Sequence, residues 1–154
     1  MASISWCKKQ NKGIKLIEPN DNLAKEYIQT AEETLDTLKS IRNNSKVWLA
    51  TTKYYCEYFS IYALLMKLGV KSEIHECTIA VCELLEELKI VPSGYSKRLE
   101  QDKQLRIDNQ YYLKNKEVPI NYDELLSFVL TIKDINNKLT KEEIQKTRER
   151  IMKE

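Results

Sequence analysis

Residues 46–68 constrain the fold more than any other segment, because only a helix covered on several sides accounts for their pattern. In a helical projection the polar side chains form one narrow stripe, and apolar side chains occupy nearly all of the remaining circumference. The stripe consists of Lys46, Lys53, Glu57, Ser60 and Lys67. Gly69 follows, and glycine often ends a helix in a left-handed conformation. The pattern therefore predicts the central helix of a bundle.

The flanking segments predict further helices. Apolar residues recur every three or four positions from Leu23 onward, and Asn121 and Thr140 each stand three residues before a glutamate, which is a capping-box pattern. The predicted fold is all-α, an up-and-down bundle of four to five helices plus a short C-terminal helix. The helices are expected at about 23–42, 46–68, 73–89, 96–113, 121–139 and 140–154, with Ser72 as the N-cap of the third and an irregular arm over 1–20.

Composition agrees with one helical domain that spans residues 1–154. The chain has three glycines and three prolines, whereas a β-sandwich or barrel needs many turns and usually more of both residues. Hydrophobic residues make up 42% and charged residues 31%, as is typical of a folded, well-solvated protein. The formal net charge of +2 neither demands nor excludes a nucleic-acid partner.

Apolar stretches and cysteines bear on the cellular location. No stretch approaches the roughly 18 apolar residues of a membrane helix, and the N-terminus lacks the apolar core of a signal peptide. We therefore expect a cytoplasmic protein without a membrane partner. Most of the cysteines lie in apolar helical patterns, so free thiols are expected rather than a disulfide framework. The four cysteines are Cys7, Cys56, Cys77 and Cys82.

The segment 96–113 differs from the other predicted helices, because it has few apolar residues and many charges. Arg98, Asp102 and Arg106 follow one another at four-residue spacing and so share one helical face. Two interpretations are open. The face is either solvated and stabilised by mutual ion pairs, or it lines a groove in which the two arginines meet an anion or a partner.

Several segments together resemble a known family. They are KYYCEYF at 53–59 with YALLM at 62–66, GVKSEIHECTI at 69–79, WC at 6–7 with GIKLIEPN at 13–20, and RID at 106–108 leading to YY at 111–112. These segments resemble the HEPN-domain family, in particular its small archaeal-type members. The resemblance covers most of residues 6–113.

The resemblance implies a bundle of four or five helices that is usually dimeric. Such domains often bind a minimal nucleotidyltransferase, and many act as toxins in toxin–antitoxin pairs. Catalytic members are metal-independent ribonucleases, whose motif is an arginine, four to six residues of any kind and a histidine. In chemical terms the arginine binds the phosphate, and the histidine moves a proton to or from a ribose hydroxyl.

The sequence departs from this motif. Its only histidine is His75, and positions 68–70, where the arginine would stand, hold Leu, Gly and Val. Lys71 is too close for the motif and is a poor substitute for a bidentate guanidinium. We therefore expect a HEPN-like binding protein with little or no catalysis, which engages a nucleotidyltransferase partner, a nucleotide or RNA. The alternatives are a metal-independent endoribonuclease, in which His75 works with a spatially adjacent arginine, and a purely structural dimer.

His75 is the candidate catalytic residue, although one imidazole in the first turn of a helix can equally well hydrogen-bond a neighbouring helix. A metal site built from His75, Cys77 and Cys82 is not expected, since the two cysteines lie about 140° apart around a helix. No cofactor is expected, and the expected assembly is a homodimer. The predicted ligand- or partner-binding residues are Lys71, His75, Arg98, Asp102 and Arg106.

Overall fold

The structure is a computed structural model that describes residues 2–43 and 45–154. Over these residues it contains seven α-helices and one two-stranded sheet, so the all-α prediction is confirmed. The predicted bounds of the central helix agree with those of α3. The elements are α1 (Ile4–Lys9), β1 (Lys15–Leu16), α2 (Asp21–Ser40), α3 (Lys46–Leu68), β2 (Val70–Lys71), α4 (His75–Glu87), α5 (Tyr95–Gln110), α6 (Tyr122–Lys138) and α7 (Lys141–Lys153).

Two helix starts carry the signals that the sequence contains. At α6 the side chain of Asn121 accepts a hydrogen bond from the backbone N–H of Glu124 at 3.1 Å. At α7 Thr140 and Glu143 form a capping box, in which each side chain accepts from the other residue's backbone N–H. These bonds satisfy N–H groups that have no partner within the helix.

Gly69 ends α3 in the predicted left-handed conformation, with φ at +75°. A larger residue does not fit there, because a Cβ atom would collide with the carbonyl oxygen of Ile17 and with Nη1 of Arg148. The same Nη1 donates hydrogen bonds to the carbonyl oxygens of Ile17, Leu68 and Gly69. An arginine of α7 therefore anchors the C-terminal helix to the end of the central helix.

α3 is the centre of the bundle and packs against α2, α5 and α6. Its fully buried side chains, such as Tyr54 and Leu65, belong to one core with Phe128 of α6. Two charged residues of the polar stripe, Lys53 and Glu57, are buried as well. The stripe therefore faces a neighbouring helix rather than solvent along its middle.

The expectation of an irregular N-terminal arm is wrong. Residues 4–9 form α1, and the side chain of its N-cap, Ser3, accepts from the backbone N–H of Trp6. Further on, β1 pairs antiparallel with β2, with Lys15 opposite Lys71. Packing against the bundle gives this segment regular structure, which six residues could not keep in isolation.

The expectation of free thiols is wrong for two of the four cysteines. Cys7 of α1 and Cys77 of α4 form a disulfide with a Cα–Cα distance of 5.7 Å and a sequence separation of 70. α1 packs against α4 and brings the two side chains together. Cys56 and Cys82 are free and buried, as predicted.

The third long helix also starts later than predicted. α4 begins at His75 with Ile74 as its N-cap, so Ser72 is not the capping residue. Instead the hydroxyl of Ser72 donates to the carbonyl oxygen of Ile74 at 3.0 Å and accepts from the hydroxyl of Thr78 at 3.1 Å. His75 is thus the first residue of α4. Within residues 2–43 and 45–154, no helix combines the length and the apolar character needed to cross a bilayer.

Candidate functional site

α3 and α5 run antiparallel and join through two ion pairs, in which Lys53, Glu57 and Asp102 are buried and Arg98 is partly exposed. Nζ of Lys53 lies 3.1 Å from Oδ1 of Asp102, and Nε of Arg98 donates to Oε2 of Glu57 at 2.5 Å. On each helix the cation precedes the carboxylate by four residues. Because the helices are antiparallel, each cation then faces a carboxylate of the other helix. One register therefore satisfies both pairs at once.

These contacts decide between the two interpretations of the ladder on α5. Arg98 and Asp102 pair with residues of α3 rather than with each other, and Asp102 is buried. Arg106 also points towards α3, where its Nη1 donates to the hydroxyl of Tyr55 at 2.9 Å. The interpretation as a solvated face with mutual ion pairs is therefore wrong.

Glu57 and Asp102 place two carboxyl groups side by side in the bundle. When both carboxyl groups are ionised, Oε1 of Glu57 and Oδ2 of Asp102 have no hydrogen-bond partner among the described residues. Burial, and then the adjacent Asp102 carboxylate, raise the pKa of Glu57 well above its usual range. A proton on Glu57 can be donated to Asp102, and this one bond satisfies both oxygens.

Arg98 keeps donors for a ligand at its two terminal nitrogens, which make no hydrogen bond among the described residues. Its Nε is bound to Glu57, and its guanidinium carbon lies 5.1 Å from the centre of the Phe128 ring. Among the described residues, the bond to Glu57 is the only hydrogen bond of this guanidinium. The two terminal nitrogens therefore remain able to donate to an anion.

A cavity of about 660 Å³ opens beside these pairs, between α5 and the segment that leads into α6. Lys53, Arg98 and Asp102 lie on its inner side, with the Asp108–Lys116 ion pair at 2.7 Å on its wall. The volume lies within the range of about 300–1,000 Å³ that is usual for small-molecule sites. The apolar part of the wall is formed by Leu105, Pro119 and Ile120.

His75 lies in a separate aromatic cluster between α3 and α4. Its Nδ1 and the hydroxyl of Tyr54 share a hydrogen bond of 2.8 Å, and its ring stacks on Tyr58 with centroids 4.3 Å apart. Burial, followed by the charges of Arg106 and Lys103, lowers the pKa of His75 to about 4. The imidazole is therefore neutral at physiological pH.

Arg106 borders the same cluster. Its guanidinium carbon lies 5.1 Å from the ring centre of Tyr54 and 5.4 Å from that of Tyr55, and both rings contact His75. Its Nε is buried and has no hydrogen-bond partner among the described residues. α5 thus places an arginine close to His75, although the sequence has no arginine at the motif spacing before this histidine.

The five predicted site residues fall into three places. Arg98 and Asp102 lie at the cavity, whereas His75 and Arg106 meet at the aromatic cluster. Lys71 is an exposed residue of β2. No group of three or more His, Cys, Asp or Glu residues suited to a metal ion occurs in the part of the chain that the structure describes.

Sequence reasoning missed Lys53 and Glu57 as members of the site. The available signal was their opposite charge at four-residue spacing in a helix that is otherwise largely apolar. Charges in such a position need partners from another helix, and Arg98 and Asp102 offer them with the same spacing.

Comparison of the chain with models of protein families, with curated proteins and with solved structures found no match. The resemblance to the HEPN-domain family therefore stays a prediction that rests on the segments quoted above.

Proposed function

We propose that the chain is a HEPN-like binding protein without catalysis, and that it takes an anionic ligand of nucleotide size into the cavity beside Arg98. The observation that carries this proposal is the Arg98 guanidinium. It is held by Glu57 through Nε alone, and it lines the cavity. A guanidinium fixed in this way presents a planar pair of donors, which suits a phosphate or carboxylate group.

The free donors of Arg98, rather than a net charge, support an anion in the cavity. The cations of the lining are Lys53, Arg98 and Lys116, and its carboxylates are Asp102, Asp108 and Glu124, so the charges of the lining balance. Lys53 is paired with Asp102 and Lys116 with Asp108, which leaves the terminal nitrogens of Arg98 to meet an anion. The apolar wall offers a nucleobase or a similar flat group a surface to pack against.

The neighbourhood of His75 favours a structural role for the imidazole. One ring nitrogen is bound to Tyr54, and the ring itself is stacked on Tyr58. A base with a pKa of about 4 is also far from the value near 7 that suits general-base catalysis at neutral pH. These observations support a binding protein over a ribonuclease.

Isothermal titration with adenosine and guanosine monophosphates tests the cavity. Arg98→Lys keeps a cation beside Glu57 and removes the forked donors, so we expect at least tenfold weaker binding, on the order of the 1.5–3 kcal/mol of a charge-assisted hydrogen bond. The matched control is Arg150→Lys, which changes an exposed arginine paired with Glu154. Equal affinity of the wild type and Arg98→Lys would sink the proposal, as would the absence of binding at millimolar nucleotide.

A metal-independent endoribonuclease is the second candidate, and the position of Arg106 beside the His75 cluster favours it. The assay incubates structured and single-stranded RNA with the wild type and with His75→Ala in the presence of chelator. We expect no cleavage above background from either protein. Cleavage that disappears in His75→Ala, while the circular dichroism spectrum is unchanged, would replace the first proposal with this one.

The proposal also covers the oligomeric state and the partner of the protein. A homodimer and a nucleotidyltransferase partner in a toxin–antitoxin pair follow from the resemblance, and a cytoplasmic location is part of the same proposal. α6 offers a surface for association, because Leu126 and Leu130 are exposed one turn apart. Light scattering is expected to give twice the chain mass of 18.1 kDa, and a mass near 18.1 kDa at micromolar concentration contradicts the dimer.

A further inference from the structure

The segment between α5 and α6 displays large side chains to solvent. Tyr111, Tyr112 and Leu113 are 65%, 68% and 73% exposed, and all residues from 111 to 117 are exposed. We call residues 111–117 the tyrosine loop. Exposed aromatic residues next to one another are uncommon on a surface that only contacts water.

The tyrosine loop is held in place by a buried amide. Oδ1 of Asn109 accepts from the backbone N–H of Lys116 at 2.7 Å, and its Nδ2 donates to the carbonyl oxygen of Lys116 at 3.0 Å. The same Nδ2 donates to the carbonyl oxygen of Lys46 in α3 at 3.4 Å. Asn109 is fully buried and belongs to α5, so its hydrogen bonds fix the loop to both α5 and α3.

Asp108 forms a second anchor. It accepts hydrogen bonds from Nζ of Lys114 at 3.4 Å and of Lys116 at 2.7 Å, and its carbonyl oxygen accepts from the backbone N–H of Lys114 at 3.0 Å. The hydrogen bond from Lys116, then that from Gln104, lower the pKa of Asp108 to about 2. The loop is thus held through both its backbone and its lysines.

The backbone of the loop adopts an unfavourable conformation at two places. Leu113 and Asn115 have φ angles of +49° and +52°, in the left-handed region that favours glycine. Such residues persist when the surroundings fix them, and they concentrate at functional sites. Strain at Leu113, together with the two anchors, indicates a loop built to hold its tyrosines in one arrangement.

Positive charge accompanies the aromatic rings. Nζ of Lys114 lies 5.7 Å from the centre of the Tyr112 ring. Lys114 and Lys116 share the one carboxylate of Asp108, and Glu117 of the same loop is paired with Lys46. Three cations therefore face two carboxylates, which leaves a surplus of one positive charge. Both lysine side chains are half exposed, and an ammonium group has three N–H donors, so each lysine can donate to a phosphate while it keeps its bond to the buried Asp108.

We infer that the tyrosine loop binds single-stranded nucleic acid, with bases stacked on Tyr111 and Tyr112 and with Lys114 and Lys116 at the phosphates. Stacking on exposed rings beside cations is how proteins hold unpaired bases without reading their sequence. The inference deepens the proposed function and rests on it, since it names the polymer whose nucleotide the neighbouring cavity would take. Lys116 borders both places, because it also lines the cavity.

The two lysines of the loop favour a nucleic-acid partner over a protein partner. Two lysines lie beside two tyrosines, whereas the centres of protein–protein interfaces are depleted in lysine. Bases in a duplex are already stacked on one another, so only an unpaired strand can use the rings.

The test measures fluorescence anisotropy of labelled oligouridylate about ten nucleotides long, a length within the usual site sizes of such proteins. The variants are Tyr111→Ala/Tyr112→Ala and Tyr111→Phe/Tyr112→Phe, and the control is Met152→Ala at an exposed apolar position of α7. We expect about tenfold or greater weakening in the alanine pair, near-complete retention in the phenylalanine pair, and no change in the control. Lys114→Ala is expected to weaken binding about severalfold and to flatten its salt dependence, whereas Lys138→Ala on α6 is expected to do neither.

Several outcomes overturn the inference. They include no binding at low salt, equal binding of an RNA duplex, and binding that the alanine pair leaves unchanged. If the alanine pair instead dissociates a dimer in light scattering and no oligonucleotide binds, the loop contacts a second copy of the chain. Titration of mononucleotides into the alanine pair separates the two proposals, because cavity binding that depends on Arg98 persists there if only the loop inference fails.

Discussion

α3 meets α4 and α5 through contacts of opposite chemistry. Towards α4, the ring of Tyr58 stacks on His75, and its hydroxyl lies 3.1 Å from that of Thr78 in a hydrogen bond. Towards α5, the buried side chains of Lys53 and Glu57 form ion pairs. The first contact is neutral at physiological pH, whereas the second contains four ionisable groups, three of them buried and Arg98 partly exposed.

The two contacts therefore contribute differently to the fold. Burial of aromatic rings stabilises the fold in proportion to the apolar area removed from water. Burial of ion pairs costs desolvation that their attraction barely offsets, but a sliding of α5 by one turn would leave charges without partners. We infer that the aromatic side supplies stability and that the charged side fixes the register of α3 against α5.

The largest expected effect comes from Arg98→Ala at pH 8. It leaves the carboxylate of Glu57 buried without its cation, at a cost of about 3 kcal/mol or more in the free energy of unfolding. At pH 5 a proton can neutralise Glu57, so the cost is smaller there. Urea denaturation at both pH values measures it, with the exposed Arg150→Ala as a control that should cost under about 1 kcal/mol. A loss that is the same at both pH values would contradict the comparison.

Tyr58→Ala tests the aromatic side, with an expected loss of about 3 kcal/mol. Tyr58 is 7% exposed, and its ring stacks on those of His75 and Tyr62. The control is Tyr112→Ala, whose ring is exposed and whose loss should stay within about 0.5 kcal/mol. If Tyr58→Ala costs under about 1 kcal/mol in urea melts, the aromatic side does not carry the stability assigned to it.

Reduction of the Cys7–Cys77 disulfide should cost about 2 kcal/mol or more, because the bond closes a loop of 70 residues in the unfolded chain. Cys7→Ser/Cys77→Ser should lose a similar amount and show no further response to reductant. Thermal melts with and without reductant provide the measurement. An unchanged melting temperature of the wild type in reductant would show that the α1–α4 contact holds without the covalent bond.

The comparison also explains what the sequence could predict. The bounds of α3 followed from a local pattern, since apolar residues cover most of the helix and Gly69 can adopt its positive φ. The ladder of Arg98, Asp102 and Arg106 was visible as well. Its partners were not, because they depend on the register between two helices, which no spacing within one helix contains.

The N-terminal residues show a different limit. α1 has six residues, and a helix so short depends on packing rather than on its own propensity. Cys7 and Cys77 are far apart in the chain, and nothing local indicates that α1 returns to the start of α4. The pairing of Lys15 with Lys71 in the small sheet escaped prediction for the same reason.

Glu57→Gln has the smallest expected effect at about pH 5, and it probes the carboxyl pair itself. Glu57 has a raised pKa in the folded protein, so the folded state keeps a proton that the unfolded chain releases as pH rises through the ordinary carboxyl range. The stabilisation from this group is fully present below the unfolded pKa and is lost as pH rises towards the folded pKa. Within that window the free energy of unfolding of the wild type should fall by about 1 kcal/mol per pH unit, relative to a variant without a titrating side chain at position 57.

A glutamine at position 57 reproduces the protonated carboxyl at every pH. Its oxygen can accept from Nε of Arg98, and its N–H can donate to the second oxygen of Asp102, which otherwise has no partner among the described residues. Glu57→Gln should therefore match the wild type at about pH 5 and exceed its stability at alkaline pH, by urea denaturation across the range. Glu117→Gln, at an exposed carboxylate, is the control and should run parallel to the wild type. Parallel curves for Glu57→Gln as well would mean that Glu57 is ionised in the fold, and that Arg98 and Lys53 alone hold both carboxylates.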